Sequence, residues 1–296
     1  MKTIELINLS KEYKNTRALN DINLEINKGR IVGLLGKNGA GKTTLNKLIT
    51  GLIFPSAGSI KVLGEVPKGG QKKIGFLSEN IALYPNLSAR ENLEISILQE
   101  GKSPKYDQIS KILKTVSIQD TRKKANDFSL GMKRRLQVAM TVLANDRELL
   151  ILDEPTNGLD LDGVLWLKNM ILELKNQGKT ILLSSHSILQ MEDVLTDYII
   201  LKKGILADSG EMATLNEGIL NIEIRVEDIE KGKNALEKKG YLYNQHGNLL
   251  VIPVKVDYMH YLLVLNEEGI YPSSYNLKKK SLVDRFHQYA GGDNGD

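Results

Sequence analysis

The sequence predicts an α/β chain in two parts: a larger domain over residues 1–216 and a small α+β domain over residues 217–290. Residues 291–296 are expected to form a disordered tail. Three observations support this. Up to residue 216, short continuous apolar runs bounded by turns or polar residues alternate with amphipathic stretches. That is the pattern of strands buried on both faces of a largely parallel sheet. Beyond residue 216 the rhythm changes to strict alternation interrupted by two helical stretches. The chain then ends on Gly-Gly-Asp-Asn-Gly-Asp, polar and glycine-rich.

In order, residues 3–9 and 19–26 alternate as half-buried strands, and residues 31–35 form a buried one. A helix is expected over residues 44–50. The runs at 149–152, 180–184 and 198–202 are further buried strands. In the second part, Leu220, Ile222, Ile224 and Val226 alternate, and residues 227–239 read as a helix closed by Gly240. Residues 241–244 and 248–254 flank Gln245-His246-Gly247, read as a hairpin turn. Residues 257–267 are helical, residues 270–277 form a fourth strand, and Ser281 caps a last helix through Tyr289. The order βαββαβ suggests a ferredoxin-like sandwich.

At 296 residues, 41% hydrophobic and 26% charged, the chain can bury one large core and one small one. Its net charge of +4 and pI of about 8.9 are mildly basic. That suits a neighbouring acidic surface such as phospholipid headgroups, and is weaker than the concentrated charge of a dedicated nucleic-acid binder. The absence of cysteine excludes disulfides and thiolate zinc sites. No apolar run reaches the ~18 residues of a membrane span, and the N-terminus has no signal-peptide core.

The strongest local signal is Gly36-Lys37-Asn38-Gly39-Ala40-Gly41-Lys42-Thr43, followed by Thr44. It fits G-x-x-x-x-G-K-[ST] between an apolar strand and a helix, the context in which this loop binds phosphate. Glycines let backbone N–H groups approach the β-phosphate, and the helix N-terminus adds partial positive charge. Lys42 supplies a cation for the β- and γ-phosphates, and Thr43 a hydroxyl for Mg²⁺. The second signal is Leu149-Leu150-Ile151-Leu152-Asp153-Glu154-Pro155. It sets two carboxylates at the end of a buried strand, where open parallel sheets bind ligands. Asp153 is placed for Mg²⁺, and Glu154 to polarise the attacking water.

Phe128-Ser129-Leu130-Gly131-Met132 precedes that acidic strand, with Lys133-Arg134-Arg135 after it. Here the chain resembles the ATP-binding-cassette (ABC) family, whose signature LSGGQ stands at this place. The resemblance covers residues 1–216. It implies a P-loop NTPase cassette with a mixed sheet core and a helical subdomain, using ATP and Mg²⁺. It also implies that Tyr13 stacks on adenine, that Glu79 stands where the family has its Q-loop glutamine and approaches Mg²⁺, and that Gly158-Leu159-Asp160 is the D-loop. His186 would be the switch histidine that contacts the γ-phosphate. Ser129 and Gly131 would bind the ATP held by a second cassette, so a head-to-tail homodimer is expected. Leu130, Met132 and Glu79 depart from the common motifs. The basic run 133–135 is expected on the signature helix, where it could add field near the partner's phosphates.

Residues 80–93, with Tyr84-Pro85-Asn86-Leu87-Ser88 and Glu91-Asn92-Leu93, resemble the permease-gripping region of ABC-2 exporters of the bacitracin-resistance and lantibiotic-immunity type. Ser281-Leu282-Val283-Asp284-Arg285-Phe286 resembles an ending frequent in that group. The resemblance implies an ATP-hydrolysing motor subunit, cytoplasmic and peripheral at the inner membrane face, working with a separate multi-spanning permease. No nucleic-acid partner is expected. The competing classes are a soluble cassette acting on nucleic acid or ribosomes, and a regulatory switch that uses ATP without steady turnover.

Overall fold

The computed structural model describes residues 1–14, 16–78, 82–143, 146–184, 188–217 and 219–290. The chain divides into one unit of residues 1–210 with the chain end from Phe286, and a second unit of Glu211–Arg285.

The first unit begins with β1 (Lys2–Tyr13), β2 (Thr16–Asn27) and β3 (Ile31–Leu35), then α1 (Lys42–Ile49), β4 (Ala57–Val62) and β5 (Ile74–Leu77). A helical stretch follows: α2 (Ala89–Gln99), α3 (Tyr106–Thr115) and α4 (Leu130–Val138), which runs on through a π-helical turn at Ala139–Leu143. The chain returns to the sheet in β6 (Leu149–Asp153), α5 (Leu161–Asn176), β7 (Thr180–Ser184), β8 (Asp197–Lys202) and β9 (Ile205–Glu211). Two sheets result. One is antiparallel, in the order β2-β1-β4; the other has the order β5-β6-β7-β3-β8-β9, with β5, β6, β7, β3 and β8 parallel.

Every residue of β3, β6 and β7 is buried, which is why they read as continuous apolar runs. Ile4, Leu6 and Leu9 of β1 join Leu45, Leu48 and Ile49 of α1 and Val32, Leu34, Ile151 and Leu182 of the parallel sheet in one core. α1 is thereby fixed between the two sheets. The helical stretch has its own core around Leu93, Ile97, Ile109, Leu113 and Leu136. α2 starts on a reciprocal capping box: Ser88 Oγ accepts from Glu91 N, and the Glu91 carboxylate accepts from Ser88 N.

The second unit contains α6 (Met212–Glu217), β10 (Ile219–Arg225), α7 (Ile229–Lys238), β11 (Asn244–His246), β12 (Leu249–Pro253), α8 (Tyr258–Glu267) and β13 (Ser274–Lys279). From β10 onward the order is βαββαβ. The antiparallel sheet runs β11-β12-β10-β13, the strand order of a split βαβ pair. Ile222, Ile224, Leu250 and Ile252 face Leu236, Tyr261 and Leu265 in its core. The last helix, α9 (Leu282–Ala290), begins at Ser281, whose Oγ accepts from Asp284 N at 3.2 Å while Asp284 Oδ2 accepts from Ser281 N at 3.0 Å.

Two strand expectations shift here. The stretch 241–243 is not strand; the hairpin pairs His246 with Leu249 and turns at Gly247, φ 59°. The last strand starts at Ser274, not at residue 270. Tyr241 and Ile270 are instead the apolar residues that close the two helices. Each follows a glycine of positive φ and donates its N–H back into the last turn, Tyr241 to Leu236 O and Ile270 to Leu265 O.

Candidate nucleotide site

The loop between β3 and α1 is shaped by contacts that leave no room for side chains. A Cβ on Gly36 would lie 2.7 Å from Ala40 Cβ and 2.8 Å from Leu201 O. Gly41 has φ 105°, and a Cβ there would meet Leu19 Cδ2 and Ala18 O. Outside pins complete the loop: Gly204 N donates to Ala40 O, and Asn20 N to Gly204 O. Lys203 (φ 49°) and Gly204 (φ 79°) form the tight turn between β8 and β9 that makes this approach possible. α1 begins at Lys42 with no side-chain cap and no acidic residue in its first turn. Its N-terminal N–H groups therefore present positive potential to an anion.

Lys42 Nζ donates to Gly36 O at 2.5 Å and Lys37 O at 3.3 Å. Burial lowers its pKa, opposed by the charges of Glu154 and Asp153. A cleft of about 480 Å³ is lined by Thr16, Arg17, Ala18, residues 37–44, Asp153, Glu154 and Lys203. The glycine-rich loop and the acidic pair, over a hundred residues apart in sequence, thus share one cavity.

The acidic pair is held from several sides. Asp153 is buried opposite Ser184 in the β6–β7 register. Ser184 Oγ donates to Asp153 Oδ1 at 2.6 Å and accepts from Asn46 Nδ2 at 2.8 Å. Because the single hydroxyl proton goes to the carboxylate, the Asn46 group facing Ser184 must be its amide nitrogen. Asn46 Oδ1 is left buried with no hydrogen-bond partner among the described residues. Glu154 takes φ 49°, a left-handed conformation that disfavours a residue with a Cβ by about 1–2 kcal/mol. Its N–H donates to Ser184 O at 2.7 Å. From behind, Arg134 donates to the carbonyls of Asp153 at 2.8 Å and of Glu154.

Among the described residues, Tyr13, Ser129 and Gly131 are not part of the cleft lining. Tyr13 is exposed at the end of β1, with Lys11 Nζ 5.2 Å from its ring centroid; its register partner Thr16 lines the cleft. Ser129 caps α4, accepting from Met132 N at 3.2 Å, and Gly131 lies in that helix's first turn. Leu130 is 69% exposed and sits on Gly158, where a Cβ would come 2.5 Å from Leu130 Cγ. Asp160 caps α5 by accepting from Gly163 N. Glu79 and His186 lie outside the described residues.

The basic run lies on α4, as expected; within it Arg134 is buried behind the acidic turn, and the Arg135 guanidinium lies 5.2 Å from the Trp166 ring centroid. Position 134 shares a helix face with Val138, four residues on, which is buried with it. Sequence reasoning also missed Arg17, Lys203, Asn46 and Ser184. Of these only Ser184 left a trace, as a polar residue closing an apolar strand.

The family model for ABC transporters matches residues 19–157. The bacitracin transport ATP-binding protein of Enterococcus faecalis is 33% identical over 98% of this chain and 96% of its own length. A lantibiotic transport ATP-binding protein of Streptococcus pyogenes is 40% identical over 66% of this chain and 85% of its own. Among solved structures, an ATP-binding subunit of an ABC transporter superposes with TM-score 0.65 at 27% identity, covering 73% of this chain and 92% of the other. A dimeric ATP-binding cassette in a post-hydrolysis state with ADP and Pi superposes with TM-score 0.64 at 25% identity, covering 71% and 98%.

Proposed function

The chain belongs to the ABC transporter family as an ATP-hydrolysing cassette, and from that premise we propose how its residues divide the work and what it serves. The observation that carries the reading is the shared cleft, in which the glycine-rich loop faces Asp153 and Glu154. Residues 36–44 and the N-terminus of α1 hold the triphosphate, with the Lys42 ammonium moving from the loop carbonyls to the β- and γ-oxygens. The oxygen donors at hand, the Thr43 hydroxyl and the Asp153 carboxylate, suit Mg²⁺, which takes few protein ligands and completes its shell with phosphate and water. Among the described residues no cluster of three or more His, Cys, Asp or Glu could hold a metal alone. Thr43, Asp153 and Glu79 would hold Mg²⁺, which would supply positive charge to neutralise the phosphates.

Glu154 orients the attacking water and takes its proton, while ADP leaves in line. His186 contacts the γ-phosphate and senses its loss, and Tyr13 stacks on adenine. Ser129 and Gly131 act on the ATP of a second copy, since they stand apart from their own chain's cleft. The working unit is then a head-to-tail homodimer beneath a separate multi-spanning permease, at the inner face of the cell membrane. No helix of the described residues is long and apolar enough to cross a membrane, which fits a partner that supplies the pathway. The names of the bacitracin and lantibiotic relatives support export as its direction. Co-expression with a membrane protein encoded by a neighbouring gene tests this. Copurification from membranes and permease-stimulated ATPase activity are expected; an ATPase that never partitions with a membrane protein would contradict it.

A further inference from the structure

The Arg134 side chain is almost fully buried, a rare placement for a charge unless it is committed to specific partners. Its acceptors come from three segments. Nη2 reaches the carbonyls of Asp153 at 2.8 Å and of Glu154; Nε reaches Pro155 O at 3.4 Å; Nη1 reaches Ser78 O at 3.5 Å and Gln137 Oε1 at 3.2 Å. Among the described residues these are five acceptors, for a group with five N–H donors. Three of them are consecutive carbonyls of the acidic turn, and a fourth belongs to the residue before Glu79.

Three consecutive carbonyls aimed at one point repel one another unless a cation stands there. They also fix the peptide planes on both sides of Glu154, whose left-handed φ makes its side-chain direction sensitive to those planes. We propose that Arg134 is a positioning residue for hydrolysis: its guanidinium holds the carbonyls of residues 153–155 so that the Glu154 carboxylate meets the attacking water. It touches neither nucleotide nor water. The planar fork is what the geometry needs, so a lysine point charge cannot replace it. The proposal rests on the reading of Glu154 as the residue that activates water.

The test uses the full chain with Arg134→Lys, Arg134→Ala and Glu154→Gln. ATP dissociation constant and kcat are measured separately, and thermal unfolding confirms that each variant folds. For Arg134→Lys, kcat is expected to fall at least ~30-fold while ATP affinity stays within about threefold, the split that misplacement of a reacting group produces. Guanidinium ion added to Arg134→Ala is expected to restore kcat by about tenfold, and the Arg134→Lys/Glu154→Gln double variant to be no slower than Glu154→Gln alone. If Arg134→Ala does not fold, Arg134→Lys carries the test. Affinity and kcat falling together, or an Arg134→Lys enzyme as fast as wild type, overturns the proposal. Full activity of Glu154→Gln overturns the underlying reading instead.

Discussion

Replacing Ser184 by Ala removes one hydroxyl from the interior and should destabilise the cassette more than its size suggests. That hydroxyl donates to the Asp153 carboxylate and accepts from the Asn46 amide, with Ser184 and Asn46 both fully buried. A hydrogen bond to a charged group contributes about 1.5–3 kcal/mol, and a stranded buried donor costs about 1–3 kcal/mol more. The two overlap, so about 3 kcal/mol is expected. With a urea m-value of about 3 kcal/mol/M for a domain of this size, the midpoint falls by about 1 M. Trp166, the only tryptophan and a residue of α5, reports the first unit alone by its fluorescence. Ser184→Ala/Asn46→Leu is expected to lose less than Ser184→Ala, because it no longer leaves the buried Asn46 amide without its acceptor, although Asp153 loses the same donor in both. A midpoint shift below about 0.2 M, or a double variant worse than the single, would refute the relay from Asn46 to Asp153.

Lys42→Met should abolish the ATP-induced rise in Tm yet leave the nucleotide-free chain more stable near neutral pH. Burial lowers the Lys42 pKa, so the folded state disfavours its charge and binds fewer protons than the unfolded chain as pH approaches 10.5. Wild-type stability therefore gains on the variant across that window. The Tm difference, measured at pH 7 and again above pH 9, should shrink; widening would contradict the assignment. Gly158→Ala places a Cβ against Leu130 in a left-handed backbone, φ 79°, and should lower stability by about 1–2 kcal/mol. Leu130→Ala should recover part of that loss, read by the same fluorescence midpoint; strict additivity would mean that Leu130 does not rest on Gly158.

The strands and the phosphate loop were legible because their physics is local. Full burial on two faces writes an unbroken apolar run, as at 31–35 and 180–184, and the tight loop demands glycines at fixed spacing. The errors came where one residue type serves two purposes. Tyr241 and Ile270 are apolar after a glycine, which suits a strand start and a helix-closing contact equally. No local pattern sets Arg134 apart from its basic neighbours Lys133 and Arg135; its main-chain acceptors, at residues 78 and 153–155, are distant in sequence. The Asn46–Ser184–Asp153 relay likewise joins three elements that no local pattern connects.

The central claim is that one cleft, formed by the loop of residues 36–44 with Asp153 and Glu154, binds and hydrolyses ATP between two copies of the chain. Size-exclusion chromatography of Glu154→Gln with ATP and Mg²⁺ tests it most directly. The account predicts a stable dimer that retains uncleaved ATP, where the wild type turns it over and separates. A Glu154→Gln protein that stays monomeric with ATP and hydrolyses it at the wild-type rate would contradict it.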